Sequence, residues 1–310
     1  MKRPKKQAIN SEFQDAMLLN TQTYLDYLER MKKIALSMFE WVNLPTTMDS
    51  RYLELCLYYK GKAALLYDEY YGFINTQAAD SGYLNIYGLP TKVNCYSFSY
   101  NTMRELYTSG SDLPAEEECI LVMNNYQQVP TASTIELFAK RLAEAQRAAD
   151  TNINAQRTPI LIMTDKNQEL SLRNMYAQYD GNSPVIFGDR NVLQEKPLQT
   201  IKTDAPFIAN DLREYMREIW NDFLTFIGIN NLDEKKERLI SKETDSNNEL
   251  INLNMMSYLT PRKEACKKFN EKFGLSGSKA IDVKLRSDLY NTIKESESII
   301  SNYSLNESEQ

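Results

Sequence analysis

Two long stretches of the chain carry apolar residues at every third or fourth position, which is the spacing of one face of an α-helix. In 131–156 these positions are Ile135, Phe138, Leu142, Ala145 and Ala149. In 204–229 they are Ile208, Leu212, Tyr215, Ile219, Phe223 and Phe226. Each pattern predicts a helix roughly 33 Å long, at a rise of 1.5 Å per residue.

The ends and the second face of these helices also carry signals. Asp204 as N-cap with Pro206 in the first turn predicts where the second helix begins, and Gly228 predicts its end. Another face of the first helix is rich in small residues, namely Ala139, Ala143 and Ala148. Small side chains let a second helix approach closely, so the first helix is predicted to have neighbours on two sides.

Shorter patterns elsewhere predict a mixture of helices and strands. Helices are predicted at 18–39, 49–71, 170–179, 261–273 and 287–300. Strands are predicted at 158–163, 184–187, 197–203 and 281–285, and 72–130 is predicted to be rich in strands and loops. The polar run 230–249 has almost no apolar residues and is predicted to be a connector, either functional or disordered.

These elements predict a mostly α fold with small β-rich subdomains (α+β), in which two long antiparallel helices bracket a small α/β insert. From the residues alone, the chain is a soluble α+β protein that lacks the signs of a typical enzyme.

Composition argues against most enzyme classes. The chain contains no histidine, which removes the commonest general base and the commonest metal ligand together. The nucleotide-binding pattern GxxxxGK[ST] is missing at Gly61-Lys62, and neither GxGxxG after a strand nor GxSxG occurs. We therefore expect no catalytic residues, no metal and no cofactor. A carboxylate-only metal nuclease is the remaining enzymatic alternative, against the simpler interpretation that the carboxylates form a solvated surface.

Cysteine usage and charge narrow the setting. The four cysteines are scattered without a CxxC pair, which favours plain thiols in a reducing compartment. The net charge of −6 argues against a monomer that wraps nucleic acid with a basic face. Four basic residues near the start are either a solvated tail or an arm that contacts phosphates, namely Lys2, Arg3, Lys5 and Lys6. No apolar run reaches the ~18 residues that a membrane span requires, so no membrane partner is expected.

Several longer strings resemble the head–tail connector (portal, or upper collar) proteins of small short-tailed double-stranded DNA phages, which prime DNA replication with a protein. They include MFEWVNLP (38–45), TIELFAKRLAE (134–144), NAQRTPILI (154–162), NQELSLRNMYAQYDGNSPVIF (167–187), KTDAPFIANDL (202–212), IWNDFLTFIGINN (219–231), EKKERLIS (234–241) and RKEACKKFNEKFGL (262–275). They follow the family's order over most of 36–275, whereas 46–130 and the last 35 residues resemble it weakly.

The resemblance implies a dodecameric ring at one capsid vertex, with the two long helices as a stem around a DNA channel. The implied divisions are a basic arm (1–17), an outer wing (18–130), a first stem helix (131–156), a narrow-end clip insert (157–203), a second stem helix (204–229), a channel loop (230–249), a wide-end region (250–300) and a mobile acidic tail (301–310).

The resemblance also implies where DNA would be contacted. The family's channel lysine falls on Lys202, and Asp211 stands where relatives carry a second lysine. Lys235, Lys236 and Arg238 would then supply the remaining positive charge in the channel. The basic arm matches the family's N-terminal contact with DNA or a packaging RNA.

The sequence therefore predicts a non-enzymatic portal protein that conducts double-stranded DNA during packaging and ejection. Expected partners are eleven further copies, double-stranded DNA, the major capsid and scaffolding proteins, a separate packaging ATPase and the lower collar or tail protein; a packaging RNA is left open. The expected location is the head–tail junction of the virion, after assembly in the host cytoplasm. The alternative is a non-conducting collar or tail adaptor.

Overall fold

The computed structural model describes residues 7–155, 160–164, 185–189, 198–200, 206–229 and 241–286. Its helices are α1 (Gln7–Leu36), α2 (Ser50–Lys60), α3 (Ala132–Ala155), α4 (Ala209–Ile227) and α5 (Ser241–Phe273), with a 3₁₀ turn at Gly277–Lys279. Its strands are β1 (Phe39–Val42), β2 (Lys62–Asp68), β3 (Gly72–Leu84), β4 (Pro90–Tyr96), β5 (Asn101–Leu106), β6 (Glu118–Met123), β7 (Ile160–Thr164), β8 (Val185–Asp189), β9 (Leu198–Thr200) and β10 (Asp282–Leu285). This mixture confirms the predicted α+β class.

The chain divides into two units, 1–23 with 140–220 and 24–139 with 221–310. Within the first unit, β7 lies between β8, its parallel neighbour, and β9, its antiparallel neighbour. All three strands predicted for the insert are therefore confirmed, to within three residues at their ends. The short helix predicted at 170–179 lies outside the described residues.

The second unit contains a closed barrel of five strands, β2 to β6 in chain order. Antiparallel pairing links each strand to the next except for the last pair, because β5 and β6 run parallel, and β6 closes the barrel against β2. Its buried centre consists of Ala64, Leu66, Ala78, Val93, Cys95, Cys119 and Leu121. The prediction of a β-rich region at 72–130 is confirmed.

The helix predicted at 49–71 is wrong beyond Lys60. Asp49 caps α2 by accepting a hydrogen bond from the Tyr52 amide, and Gly61 ends it with a φ of 76°. A Cβ at Gly61 would lie 2.0 Å from the carbonyl oxygen of Gln128, so a close backbone approach also requires glycine there. The following residues, KAALLYD, form the buried strand β2, since an apolar run of that length suits a barrel strand as well as a helix.

The first helix differs from its prediction at both ends. It begins at Gln7, inside the range assigned to a basic arm, and it ends at Leu36. Phe39, predicted as the end of the helix at 18–39, instead begins strand β1 (Phe39–Val42), which pairs antiparallel with β10. The partner strand lies more than two hundred residues away, and for that reason local spacing gives no sign of the pairing.

The two long central helices are confirmed, with corrections to their surroundings. Helix α4 begins at Ala209 rather than at the predicted Asp204 and Pro206, and Gly228 ends it with a φ of 82° as predicted. Ala139 and Ala143 on α3 are already buried within the single chain, whereas Ala148 is exposed. The small face of α3 therefore does not require a second copy of the chain to cover it.

The prediction of a connector over the whole of 230–249 is also wrong, because α5 begins at Ser241. Residues 230–240 lie outside the described part of the chain, as do the helix predicted at 287–300 and the tail at 301–310. Pro261, predicted to begin a helix, lies inside α5. In the described part of the chain, no helix combines the length and the apolar character that crossing a membrane requires.

Candidate nucleic-acid interface

The eight basic residues predicted to contact nucleic acid all lie outside the described residues. They are Lys2, Arg3, Lys5, Lys6, Lys202, Lys235, Lys236 and Arg238. Their roles stay predictions. The structure describes the helices that flank them in the chain. Lys202 precedes α4, and the cluster at 235–238 lies between α4 and α5.

Helix α4 separates an apolar face from a charged face. Ile219, Phe223 and Ile227 recur every fourth residue and are at most 1% exposed. The exposed charged residues of α4 are Asp211, Arg213, Glu214, Arg217, Glu218 and Asp222, four acids against two bases. The solvent-facing side of α4 is therefore acidic, which disfavours tight binding of phosphates along the helix itself.

Asp211 has a structural role as well as a place on this face. It is exposed and is the acidic residue in the first turn of α4. The N-terminal end of a helix carries unpaired amide groups and a partial positive charge, so a carboxylate there stabilises the helix by about 0.3–1 kcal/mol. A lysine in the same turn would lose that contribution and oppose the helix dipole.

The exposed face of α3 is nearly balanced in charge. It carries Lys140, Arg141, Glu144, Arg147 and Asp150, three bases and two acids. Arg147 pairs with Glu144 at 3.4 Å, but their side chains are 46% and 68% exposed, so the pair contributes little to stability. Neither long helix therefore presents a continuous basic stripe of the kind that grips DNA.

The two long helices contact each other near both ends. In one unit, the ring of Phe138 on α3 lies 6.1 Å from that of Phe223 and 6.0 Å from that of Phe226 on α4. In the other unit, the side chain of Asn152 donates a hydrogen bond to the carbonyl of Pro206 at 2.8 Å and accepts one from the amide of Ile208 at 3.1 Å. The end of each helix thus meets the beginning of the other, as expected for an antiparallel pair.

Arg262 of α5 is the centre of a buried polar network in the second unit. Its side chain is 3% exposed and pairs with Glu54 of α2 through two nitrogen–oxygen contacts, at 3.0 and 3.2 Å. It also donates to the carbonyl and side-chain oxygens of Asn124, each at 3.1 Å, and to the Tyr258 carbonyl at 2.8 Å. Every described polar atom of the guanidinium thus has a partner, as a buried charge requires.

Strand β1 completes this network. The guanidinium carbon of Arg262 lies 4.3 Å from the centre of the Phe39 ring, and Trp41 Nε1 donates to Glu54 at 2.9 Å. Asn124, which follows β6, donates in turn to Thr131 at 2.8 Å. One arginine therefore connects β1, α2, the segment before α3 and α5, and we call these residues (Phe39, Trp41, Glu54, Asn124, Arg262) the arginine network.

A second buried ion pair fixes the end of α5 on the barrel. Lys272 pairs with Glu118 of β6, and their side chains are 8% and 2% exposed. Lys272 also donates to the Leu113 carbonyl at 2.6 Å and lies 5.3 Å from the centre of the Tyr107 ring. Sequence reasoning missed both ion pairs, because each of these charged residues resembles an ordinary solvated residue in its local pattern.

The thiols and carboxylates of the described residues form neither a reactive cysteine site nor a metal site. All four cysteines are buried, and burial raises the pKa of Cys56 to about 11 and that of Cys266 to about 12, so neither is an activated nucleophile. A hydrogen bond with Cys95, together with burial, raises the pKa of Cys119. Within the described ranges, no cluster of three or more metal-ligating side chains occurs.

Comparison with known structures identifies the class of fold. The chain is similar to a protein in the portal and tail of native bacteriophage P68, with a TM-score of 0.52 and 15% identity over 96% of this chain and 99% of that one. It is also similar to a neck protein of an empty GTA particle (TM-score 0.42, 10% identity, 85% and 80% covered) and to an HK97-family phage portal protein from Corynebacterium diphtheriae (TM-score 0.37, 14% identity, 87% and 94% covered). The first of these similarities shows a portal-like α+β fold.

The family follows from a separate comparison. The model of the family described as Phage Connector (GP10) matches residues 10–290, which is most of the chain. The chain belongs to this family. It is therefore a head–tail connector, a virion component of the junction between head and tail. The predicted family is thereby confirmed, including over 46–130, where the resemblance in sequence is weak.

Proposed function

We propose that twelve copies of this chain form a ring at one capsid vertex and conduct double-stranded DNA through its centre. The match of the connector family over 10–290 is the observation that carries the proposal. Twelve is the ring number that the resemblance implies. In such a ring α3 and α4 are the stem, 157–203 is the narrow end, and the barrel with α1 and α2 belongs to the outer wing.

The charge of the described helices supports conduction rather than gripping. A wall with more acidic than basic exposed residues on α4 repels phosphates, and ring symmetry repeats that wall around the axis. Lys202 and the cluster Lys235, Lys236 and Arg238 form separate basic bands in the proposed channel. DNA held only at narrow bands can slide, whereas a continuous basic surface would bind it tightly and stall it.

The proposed role is structural, with the energy for translocation supplied by a separate ATPase that docks on the narrow end. The chain lacks the GxxxxGK[ST] pattern that cradles nucleotide phosphates. The major capsid and scaffolding proteins would surround the ring inside the capsid, and the lower collar or tail protein would join it outside. The arm with Lys2, Arg3, Lys5 and Lys6 would contact DNA or a packaging RNA.

The first test is the native mass of the purified protein by light scattering. Twelve chains of 35.9 kDa give a mass of about 430 kDa. We expect that mass, with imaging of the particles showing an open central channel. A ring with a closed centre would favour the non-conducting adaptor, and a particle that remains monomeric with its capsid and tail partners present would contradict the ring altogether. Magnesium-dependent cleavage of DNA by the pure protein would instead revive the carboxylate nuclease.

A further inference from the structure

The turn between β3 and β4 exposes an unusual amount of apolar surface for the tip of a hairpin. Tyr83 is 87% exposed, Leu84 65%, Ile86 90% and Tyr87 81%. We call these four residues the hairpin tip. Exposed apolar residues are common singly, but four of them around one turn mark a surface for interaction.

The hairpin tip is held in one conformation by its own hydrogen bonds. Asn85 accepts hydrogen bonds through its side chain from the amides of Tyr87 and Leu89, both at 2.9 Å. The backbone amide of Asn85 also donates to the Leu89 carbonyl at 2.8 Å. A register shift between Ser81 and Leu84 interrupts the regular strand pairing just before the tip. A rigid apolar tip loses little conformational entropy when it binds.

The opposite end of the same hairpin contains a groove. It encloses about 380 Å³ and is bordered by aromatic side chains, with Tyr52 from α2, Tyr71 and Ile74 at the start of β3, and Phe98 and Tyr100 after β4. Phe98 is fully exposed and Tyr71 is 50% exposed. We call this feature the aromatic groove.

The aromatic groove also offers polar atoms of the kind that a buried tyrosine needs. Thr76 borders the groove and is 2% exposed, but its hydroxyl contacts the Cys95 thiol in the centre of the barrel. Ser97 and Ser99 contribute further hydroxyl groups. A tyrosine ring between aromatic walls, with its hydroxyl bonded to a polar group such as these serines, is a common anchor of protein interfaces.

Neither surface carries a net charge, and the exposed tip is large enough for a specific contact. The segment 81–91 contains no charged residue, and the charged groups at the groove, Asp49 and Arg51, pair with each other at 3.3 Å. The exposed tip can bury roughly 600 Å² of its own surface, so a filled contact removes about 1,200 Å² in total, the lower bound of a specific interface.

We propose that the hairpin tip of one copy inserts into the aromatic groove of the next copy. Thr76 and Tyr83 are seven residues apart on β3, roughly 23 Å at the rise of an extended strand. A tip and a groove at opposite ends of one rigid hairpin cannot meet in the same chain. They can meet between copies, and a head-to-tail contact of this kind closes into a ring when the rotation from copy to copy completes a full circle, as in the proposed dodecamer. This inference rests on the ring of the proposed function and names a contact within it.

A disulfide trap tests the contact directly. In the Ile86→Cys, Phe98→Cys double variant, the new cysteines lie at opposite ends of the hairpin, too far apart for a bond within one chain. Mild oxidation should therefore produce a ladder of covalently linked copies up to the full ring. The native cysteines are all buried, which keeps the background low. A mixture of the two single variants should give linked pairs only, and each single variant alone should give no ladder.

A second pair of variants measures how much the contact matters. Ile86→Ser with Tyr87→Ser should weaken the association of subunits at least about tenfold at each contact, as expected for interface anchors. Ser81→Ala on the same hairpin is the matched control and should assemble normally.

The outcomes separate this inference from the proposed function. A full ring by mass that gives no covalent ladder would overturn the inference and leave the proposed function standing. Tip variants that assemble normally but fail to enter capsids would also overturn it, since the tip would then serve a capsid protein. A protein that never forms rings would overturn both.

Discussion

Removal of Arg262 is the most informative single change to the folded chain. Arg262→Ala deletes a charge that pairs with Glu54, a residue that is 6% exposed overall and cannot turn out to solvent. Glu54 would keep one donor, the Trp41 ring nitrogen at 2.9 Å. Breaking a buried ion pair by removing one partner costs about 3–5 kcal/mol, because the remaining charge stays buried without compensation. Asn124 would lose two further hydrogen bonds from the arginine.

The matched control is an arginine on the same helix as Glu54 whose ion pair is exposed to solvent and not buried. Arg51 pairs with Asp49 at 3.3 Å, with side chains 74% and 54% exposed. Arg51→Ala should therefore cost less than about 1 kcal/mol. Replacing both buried partners, in Arg262→Met with Glu54→Leu, should recover a good part of the stability lost in Arg262→Ala, since no buried charge is left alone.

Urea unfolding followed by tryptophan fluorescence measures the effect. In a Trp220→Phe background only Trp41 reports, and its ring nitrogen is part of the arginine network. A loss of about 4 kcal/mol lowers the midpoint by about 1 M for a slope near 3–4 kcal/mol per M. All variants are compared at one protein concentration, because subunit association shifts apparent stability. A midpoint for Arg262→Ala equal to that of Arg51→Ala would refute the reasoning.

Three further predictions concern DNA and pH. Lys202→Ala should lower the retention of DNA in packaged particles without preventing ring assembly, measured as the DNA content of purified particles; unchanged retention would argue against a basic band at Lys202. Deleting residues 1–6, which leaves α1 intact from Gln7, should weaken nucleic acid binding at low salt much more than at high salt, and equal binding at low salt would discard the arm. In the native fold burial would raise the pKa of Asp68, but hydrogen bonds from Tyr100 and the Tyr70 and Tyr71 amides, together with Arg104, hold it below its ordinary 3.8. Asp68 therefore stabilises the fold above pH 3.8, and this stability is lost as the pH falls through the lower pKa of the folded state. In thermal unfolding, Asp68→Asn should be less stable than the parent protein near pH 7, and its stability should depend less on pH below 4.

Much of the fold could be predicted where local spacing decides the structure. Helices α3 and α4 have long, uninterrupted patterns, and Gly228 is a stop signal that acts locally. The strands of the insert are short apolar runs bounded by polar residues, and they were found within three residues at their ends. These elements are fixed by their own side chains, so their sequence is sufficient.

The errors occurred where a distant partner decides the structure. Lys62–Asp68 reads as a continuation of α2, yet it pairs with β3 and β6 in the barrel. Phe39–Val42 reads as the end of α1 but pairs with β10. Pro261 reads as a helix start, although α5 continues through it. The neighbouring Arg262 holds this part of α5 against α2 through buried contacts, which no local pattern reveals.

The predicted contacts with DNA depend on family resemblance and not on local spacing. Basic residues at Lys202 and at 235–238 are ordinary in composition, and only the family resemblance assigns them to a channel. The arginine network and the aromatic groove were not predicted, because each combines residues from three or more elements that are far apart in sequence. A pattern of neighbours along the chain carries no information on such a cluster.

Asp211 connects the stability of the stem to its proposed work. As a first-turn carboxylate it stabilises α4, and it adds one negative charge to a face that is already acidic. In the proposed ring that charge is repeated in every copy, about nine residues along the chain from the basic band at Lys202. At physiological salt, screening confines each charge to about 8 Å, so a band of one sign does not cancel its neighbour further along the channel. DNA would then meet separated zones of attraction and repulsion. An aspartate at position 211, in place of the lysine that relatives carry, would sharpen that separation and also make the helix more stable.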